Sequence, residues 1–269
     1  MARAISSVFG QLRERGKKAF IPFITAGDPD LETTIRLVPE LEASGSHIVE
    51  LGIPFSDPVA DGTTIQRSSE RALRHGYRLP DYLDAMKRIR QQSGVPLVLF
   101  SYFNPMLQYG LEKLAHDARA AGVDGVLATD IPPEEAEEYC GCLDRHELDP
   151  IFLVAPTSGP ERIARIVDLC RGFVYVVSRA GVTGAQVSLS ASVFPTLNRV
   201  RARTQLPVAV GFGISQPEHV RAVWEAADGA VVGSAIVAQI EKHAGSLDLP
   251  SRIGSYCRWL TGTTCSGDL

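Results

Sequence analysis

V-E-L-G-I-P-F-S-D-P-V-A-D-G, residues Val49 to Gly62, is the stretch on which the reading of the fold turns. It begins as a short strand and opens into a loop rich in turn residues. Strand alternation puts Ile48 and Glu50 on one face and Val49 and Leu51 on the other, and the second pair suits packing against covering helices. Glu50 is then the one ionisable group in a strand that otherwise reads as wholly buried. Burying an unpaired carboxylate costs several kcal/mol or forces its pKa upward. A strand that carries one near its C-terminal end, just before Asp57 and Asp61, has the pattern of an acid/base site. The plainer alternative for Glu50 is a bridge to an arginine or to backbone donors.

Outward from this strand, similar apolar, β-branched runs recur: Ala19 to Thr25, His47 to Leu51, Pro96 to Ser101, Gly125 to Thr129, Pro150 to Val154, Phe173 to Ser178, Pro207 to Gly211 and Gly229 to Val232. The segments between them, such as L-E-T-T-I-R-L-V-P-E-L-E-A-S-G, carry apolar residues at helical spacing and end near glycine. Eight strand-helix units in 269 residues predict an α/β fold, a single parallel (β/α)8 barrel of the TIM type. An open doubly wound sheet would have fewer strands and a G-x-G-x-x-G turn after the first; here the first strand leads into T-A-G-D-P-D. A helix from Ile5 to Glu14 is expected to plug the barrel floor, and one domain to span residues 1–269 with a disordered tail from about 262. The loops after the second and sixth strands are enlarged, and both fall on the face where barrels place their chemistry.

Composition bounds the partners. The formal charge is -4, charged residues make up 22% and hydrophobic residues 45%, with a pI near 5.9 and mean hydropathy of +0.03. No basic block interleaved with aromatics suggests a nucleic-acid reader. No apolar run approaches the roughly 18 residues of a membrane span, and M-A-R-A-I-S-S-V-F-G lacks a signal core. A cytoplasmic protein without nucleic-acid or membrane partners is expected. Cys140, Cys142, Cys170, Cys257 and Cys265 show no paired C-x-x-C spacing and read as reduced thiols.

Two glycine-bearing turns, G-F-G-I-S from Gly211 and G-S-A-I from Gly233, follow the seventh and eighth strands and each opens a helix. Either alone reads as a tight turn; together they suit a barrel phosphate site built from main-chain N–H groups, with Gly184 able to complete the cradle. Asp57, before Pro58, fits a turn role. Asp61 is equally suited to capping the next helix and to binding a substrate N–H. Lys17, Lys18, Lys87, Lys113 and Lys242 lie before the first strand or within helices, and His47, His75, His116, His146, His219 and His243 avoid the C-terminal strand ends. A Schiff-base or metal-assisted aldolase is therefore disfavoured. What remains is proton transfer by carboxylates on a phosphorylated substrate whose own ring accepts electrons, with no metal site.

The motifs P-F-I-T-A-G-D-P, V-E-L-G-I-P-F-S-D-P-V-A-D-G, Y-F-N-P-M, A-G-V-D-G-V-L with D-I-P-P-E-E, S-R-A-G-V-T-G, V-G-F-G-I-S and G-S-A-I-V, spanning Phe20 to Val237, resemble the tryptophan synthase α subunit family in family order. The resemblance implies reversible cleavage of indole-3-glycerol phosphate to indole and glyceraldehyde 3-phosphate. It matches Glu50 to the family's acid/base, Asp61 to the carboxylate on the indole N–H, and Gly184, Gly213, Gly233 and Ser234 to phosphate-binding positions with Phe212 beside them. Phe20, Leu99, Tyr102, Thr129, Leu153 and Tyr175, on strands or strand ends, are expected to line the indole pocket. Thr183 matches a lid residue that meets Asp61 on closure, Arg179 and Asp57 would position the two loops, and Pro54 and Phe55 would face the partner subunit. That partner is a β subunit holding pyridoxal phosphate in an α2β2 heterotetramer; this chain itself needs no cofactor.

Two departures are Thr63 and Thr129, where the family more often has proline. The first would loosen the catalytic loop and the second alter the pocket wall. A free indole-releasing lyase, a non-catalytic activator of a β subunit, and, on fold alone, a phosphosugar isomerase or epimerase are the competing readings.

Overall fold

The computed structural model describes residues 3–177, 193–211 and 213–263. Its strands are β1 Ala19–Thr25, β2 Val49–Gly52, β3 Leu97–Ser101, β4 Gly125–Ala128, β5 Asp149–Ile151, β6 Leu153–Val154, β7 Val174–Val177, β8 Val208–Gly211 and β9 Gly229–Val232. All pair in parallel, in the order β5-β4-β3-β2-β1-β9-β8-β7-β6. The expected fifth strand is divided at Phe152, so nine segments replace eight. β5 pairs with β4 and β6 with β7. The Phe152 carbonyl accepts the Tyr175 N–H at 3.2 Å and that of Pro150 accepts the Arg171 N–H at 2.8 Å. One run of chain thus borders both neighbours, and the sheet closes into the expected (β/α)8 barrel.

Register decides which side chains share the interior. Phe23 lies opposite Glu50, and Glu50 opposite Val98. Partners in a parallel pair point to the same face and the face alternates along each strand. Ala19, Ile21, Ile48, Val98, Leu127, Ile151, Tyr175, Ala209 and Val231 accordingly pack in one cluster inside the barrel. Phe20, Val49, Leu51, Leu99, Val126 and Val174 belong to a second cluster between the sheet and the helices.

Twelve α-helices are described: α1 Ala4–Glu14, α2 Leu31–Ala43, α3 Thr63–Leu73, α4 Leu79–Arg90, α5 Phe103–Tyr109, α6 Leu111–Ala120, α7 Glu137–Arg145, α8 Pro160–Leu169, α9 Val193–Arg201, α10 Pro217–Ala226, α11 Ser234–His243 and α12 Leu249–Thr261. The segment Arg74 to Arg78 separates α3 from α4, with Gly76 in the left-handed region at φ 69°. The enlarged loop after β2 covers 53–62, whereas the enlargement expected after the sixth strand lies outside the described residues. Gly262, placed by the sequence in a disordered tail, caps α12 at φ 68°, and the Thr263 N–H returns to the Arg258 carbonyl at 3.0 Å. This is a glycine-type helix stop.

α1 does close the floor. Its buried Ile5, Phe9 and Leu12 belong to the barrel-interior cluster, with the Phe9 and Phe173 ring centroids 5.8 Å apart. Arg3 anchors its start by donating to Asp149 at 2.9 Å, Asp144 at 3.0 Å and the Leu148 carbonyl at 3.0 Å. Truncating the buried Phe9 to alanine should cost about 3–5 kcal/mol, the usual range for a core aromatic. Because Phe9 sits at the floor, the Phe9→Ala variant should show an earlier urea midpoint while its folded fraction keeps near-normal turnover; parallel loss of both would contradict a purely structural plug.

Candidate active site

Glu50 emerges from β2 into the barrel mouth, fully buried, and neither carboxyl oxygen has a hydrogen-bond partner among the described residues. Among the described residues the bridge to an arginine or backbone donor considered above is not made. Burial alone pushes its pKa up to about 8, so the resting group holds its proton at neutral pH. Around it lies a cavity of about 170 Å3 lined by Phe23, Asp61, Thr64, Ile65, Phe100, Tyr175, Val231 and Ala238, and at one end by Gly213, Ile214, Ser215, Gly233, Ser234 and Ala235.

Asp61 reaches this cavity from the loop after β2. Burial raises its pKa to about 6, against the opposing effect of the Tyr102 hydroxyl. The loop is tied down locally: the Asp61 N–H donates to the Pro58 carbonyl at 3.0 Å, and Gln66 of α3 donates to the Asp61 carbonyl at 2.9 Å. α3 has Gly62 as its N-cap, with no side-chain cap, so the capping role open to Asp61 in the sequence is not the one it takes. Thr63 is the exposed first residue of this helix, a position where proline is readily accommodated, and the bonds at Asp61 hold the loop without one.

The far end of the cavity is a helix N-terminus. Gly233 precedes α11, whose first turn has no side-chain cap, and Gly213 adopts φ 80° across from it. Ser234 and Ala235 open α11, and free main-chain N–H groups with the helix dipole suit an anion there. Ser215 and Ile214 add to this wall. Gly184 and Phe212 lie outside the described residues, as do Arg179 and Thr183.

The expected indole-pocket residues divide by strand face. Tyr175 lines the cavity, its hydroxyl so close to Gly211 that a Cβ there would stand 2.1 Å from it. Leu153 packs against the barrel interior without reaching the cavity wall. Tyr102 stands behind Asp61, where its hydroxyl accepts the Ala60 N–H at 2.9 Å. Thr129 sits on the rim with its N–H on the Ser101 carbonyl at 2.9 Å, a bond that a proline could not make. Phe20 and Leu99 are corrected: both face outward into the helix layer, because the parity that turns Glu50 inward turns Phe23 and Val98 inward too. The aromatic wall is instead Phe23 and Phe100, packed edge to face with centroids 5.1 Å apart. The register of the first and third strands against the second is what identifies them. Asp57 is exposed and accepts the Ser56 hydroxyl at 2.7 Å, a local turn contact.

No lysine lines the cavity, and among the described residues no cluster of three or more His, Cys, Asp or Glu stands together. Cys140, Cys142, Cys170 and Cys257 are free and buried.

A proton-holding carboxyl deep in a parallel barrel, with a second carboxyl and a helix N-terminus at the edges of the same cavity, defines an acid/base enzyme for an anionic substrate. Residues 9–251 match the family model for the tryptophan synthase alpha chain. The tryptophan synthase alpha chain of Geobacter sulfurreducens is 54% identical over 90% of this chain and 92% of its own length, and that of Geotalea uraniireducens 51% identical over 94% of each. A tryptophan synthase structure from Mycobacterium tuberculosis superposes with a TM-score of 0.88 at 38% identity, covering 97% of this chain and 99% of the other. A chain of the Pyrococcus furiosus tryptophan synthase complex gives 0.84 at 36% identity, covering 91% and 98%. The chain belongs to the tryptophan synthase alpha chain family, and is a lyase that cleaves indole-3-glycerol phosphate.

The buried carboxyl has a thermodynamic consequence. With a pKa near 8 in the fold against an ordinary 4.5, Glu50 holds a proton in the native state that the unfolded chain has released between those values. Stability from this group therefore falls as pH rises from about 4.5 to about 8 and levels off above. Glu50→Gln removes that dependence. Chemical denaturation should show the variant gaining on wild type across this window by an amount on the order of 2–4 kcal/mol, with the gap closing at the acid end; a difference that does not vary with pH would contradict it.

Proposed function

We propose that Glu50 and Asp61 carry the cleavage between them as acid/base and cation partner, in an α subunit that passes indole to a β subunit. The observation that supports this is the unpartnered, fully buried Glu50 carboxyl facing a cavity that Asp61 also lines.

Glu50, protonated at rest, gives its proton to C3 of the indole ring, which turns the ring into an electron sink. The resulting carboxylate takes the proton of the glycerol hydroxyl next to the scissile bond. The carbon-carbon bond then breaks, its electron pair returns to the ring, and the hydroxyl carbon becomes the aldehyde of glyceraldehyde 3-phosphate. One proton has moved from hydroxyl to C3, and Glu50 ends as it began. Asp61, with the lower of the two pKa values, is mostly ionised at neutral pH and pairs with the ring N–H as positive charge develops there. Two carboxyl groups take opposite roles because their surroundings hold their pKa values apart. The phosphate sits at the N-terminus of α11 and Gly213, and Phe23 and Phe100 flank the ring.

Pyridoxal phosphate belongs to the β subunit and not to this chain, as membership in this family implies. An α2β2 heterotetramer in the cytoplasm is the assembly that fits; no described helix is long and apolar enough to cross a membrane.

Glu50→Gln and Asp61→Asn should each lower turnover by about 10²- to 10⁴-fold while substrate affinity changes little, measured as glyceraldehyde 3-phosphate release with and without a β subunit. For wild type, kcat/KM should rise with pH as Asp61 ionises near about 6 and fall as Glu50 loses its proton near about 8, the two limbs belonging to the coupled pair. Full activity of Glu50→Gln would refute the assignment, and turnover that the β subunit leaves unchanged would point to a free lyase.

A further inference from the structure

We propose that Tyr102 is a positioning residue for Asp61: its hydroxyl accepts the Ala60 N–H and thereby turns its own proton toward the Asp61 carboxylate. The inference deepens the catalytic reading above and rests on the role given there to Asp61.

The hydroxyl has a defined partner on one side. A phenol carries one proton and accepts through oxygen, and the Ala60 N–H occupies the acceptor position at 2.9 Å. The proton is left for another acceptor, and the neighbouring group whose ionised form it favours is the Asp61 carboxylate. Tyr102 does not line the cavity, so it acts on the carboxylate from behind and leaves the substrate face open.

The ring is held firmly enough to do this. Tyr102 is 3% exposed and packs against Phe55 at 5.2 Å between centroids. It occupies the N-cap position of α5. The residue before it, Ser101, accepts the Thr129 N–H at 2.9 Å, and the residue after it, Phe103, donates its N–H to Asp130 at 2.6 Å. The Pro58 and Gln66 bonds fix only the backbone of Asp61, and we assign the orientation of its side chain to the Tyr102 hydroxyl beside it.

Other titratable groups face this pair from several elements. Asp130, after β4, raises Tyr102; Glu50 of β2 and Tyr175 of β7 share the cavity with Asp61; Asp57 lies on the same loop. None of these is a cation, so among the described residues no nearby positive charge substitutes for the hydroxyl in keeping Asp61 ionised.

Tyr102→Phe removes only the oxygen. In the complex with a β subunit, the acid limb of its kcat profile should move upward by about one pH unit, the scale of one hydrogen bond to an ionised group. Turnover at pH 6 should then fall about fivefold relative to wild type, with the gap closing as pH approaches about 8 and KM little changed. The Asp61 carboxyl carbon, followed by 13C NMR in the folded variant, should titrate higher by the same amount, and Tyr102→Phe should add no further loss in an Asp61→Asn background. An unmoved Asp61 titration, or an activity loss equal at every pH, overturns the proposal. If Asp61→Asn instead keeps full activity, the catalytic reading of Asp61 fails on its own, and the NMR titration still decides whether Tyr102 governs its ionisation.

Discussion

Everything at the mouth of this barrel follows from leaving one carboxyl group out of water with nothing among the described residues to bind it. A buried Glu50 whose oxygens have no hydrogen-bond partner among the described residues is tolerable only while it stays protonated, because the neutral acid loses far less hydration than the anion. The interior respects this. The side chains packed beside it on the strands are apolar or aromatic, and among the described residues no lysine or arginine lies on a strand or lines the cavity. A lysine or arginine on a neighbouring strand would pull the carboxyl back toward ordinary acidity and remove the proton that C3 needs. The apolar barrel is therefore a chemical requirement as well as a packing solution.

The second constraint is register. With Glu50 opposite Phe23 on one side and Val98 on the other, the parallel ladder assigns inward positions around the ring and gives the cavity its aromatic flank. Gly52 shows how tightly this is built: a Cβ there would stand 2.4 Å from the Phe23 ring. The absence of a side chain beyond Glu50 on β2 is what lets Phe23 lie across the mouth and meet Phe100 edge to face.

Sequence reasoning reached some of this and not the rest, for identifiable reasons. A carboxylate in an apolar run is visible at once, since its burial demands an explanation, and so were glycines before two successive helices. The strand runs were visible too, yet β1 is buried at all seven positions, Ala19–Thr25, and apolar at the first six, so polarity gives no hint of which face looks inward. Only pairing with β2 settles that, which is why Phe23 and Phe100 line the cavity where the sequence alone points to Phe20 and Leu99. The division at Phe152 was invisible because it reflects how a closed sheet shares one strand between two neighbours. Tyr102 was noticed as an aromatic at a strand end, but its partners Ala60 and Asp61 stand some forty positions earlier, a distance no local pattern bridges.

The two ends of the site must also keep a fixed separation, and the surface polar network provides for it. Asp61 lies just before α3, and the anion-binding turn starts α11. Arg71 of α3 grips the buried Asp28 with two bonds of 2.8 Å and reaches Glu241 of α11 at 2.7 Å, while Arg67, one turn earlier, holds the same Glu241 at 2.8 and 3.0 Å. Exposed ion pairs contribute little to stability taken singly, but Asp28 is buried and its pKa is raised chiefly by desolvation in spite of Arg71. Breaking the fork would leave that carboxylate unpaired inside the fold. The same fork fixes α3 against α11, so the distance between the carboxylate for the ring and the amides for the phosphate is set outside the cavity. The interior can then remain free of the charges that would spoil Glu50.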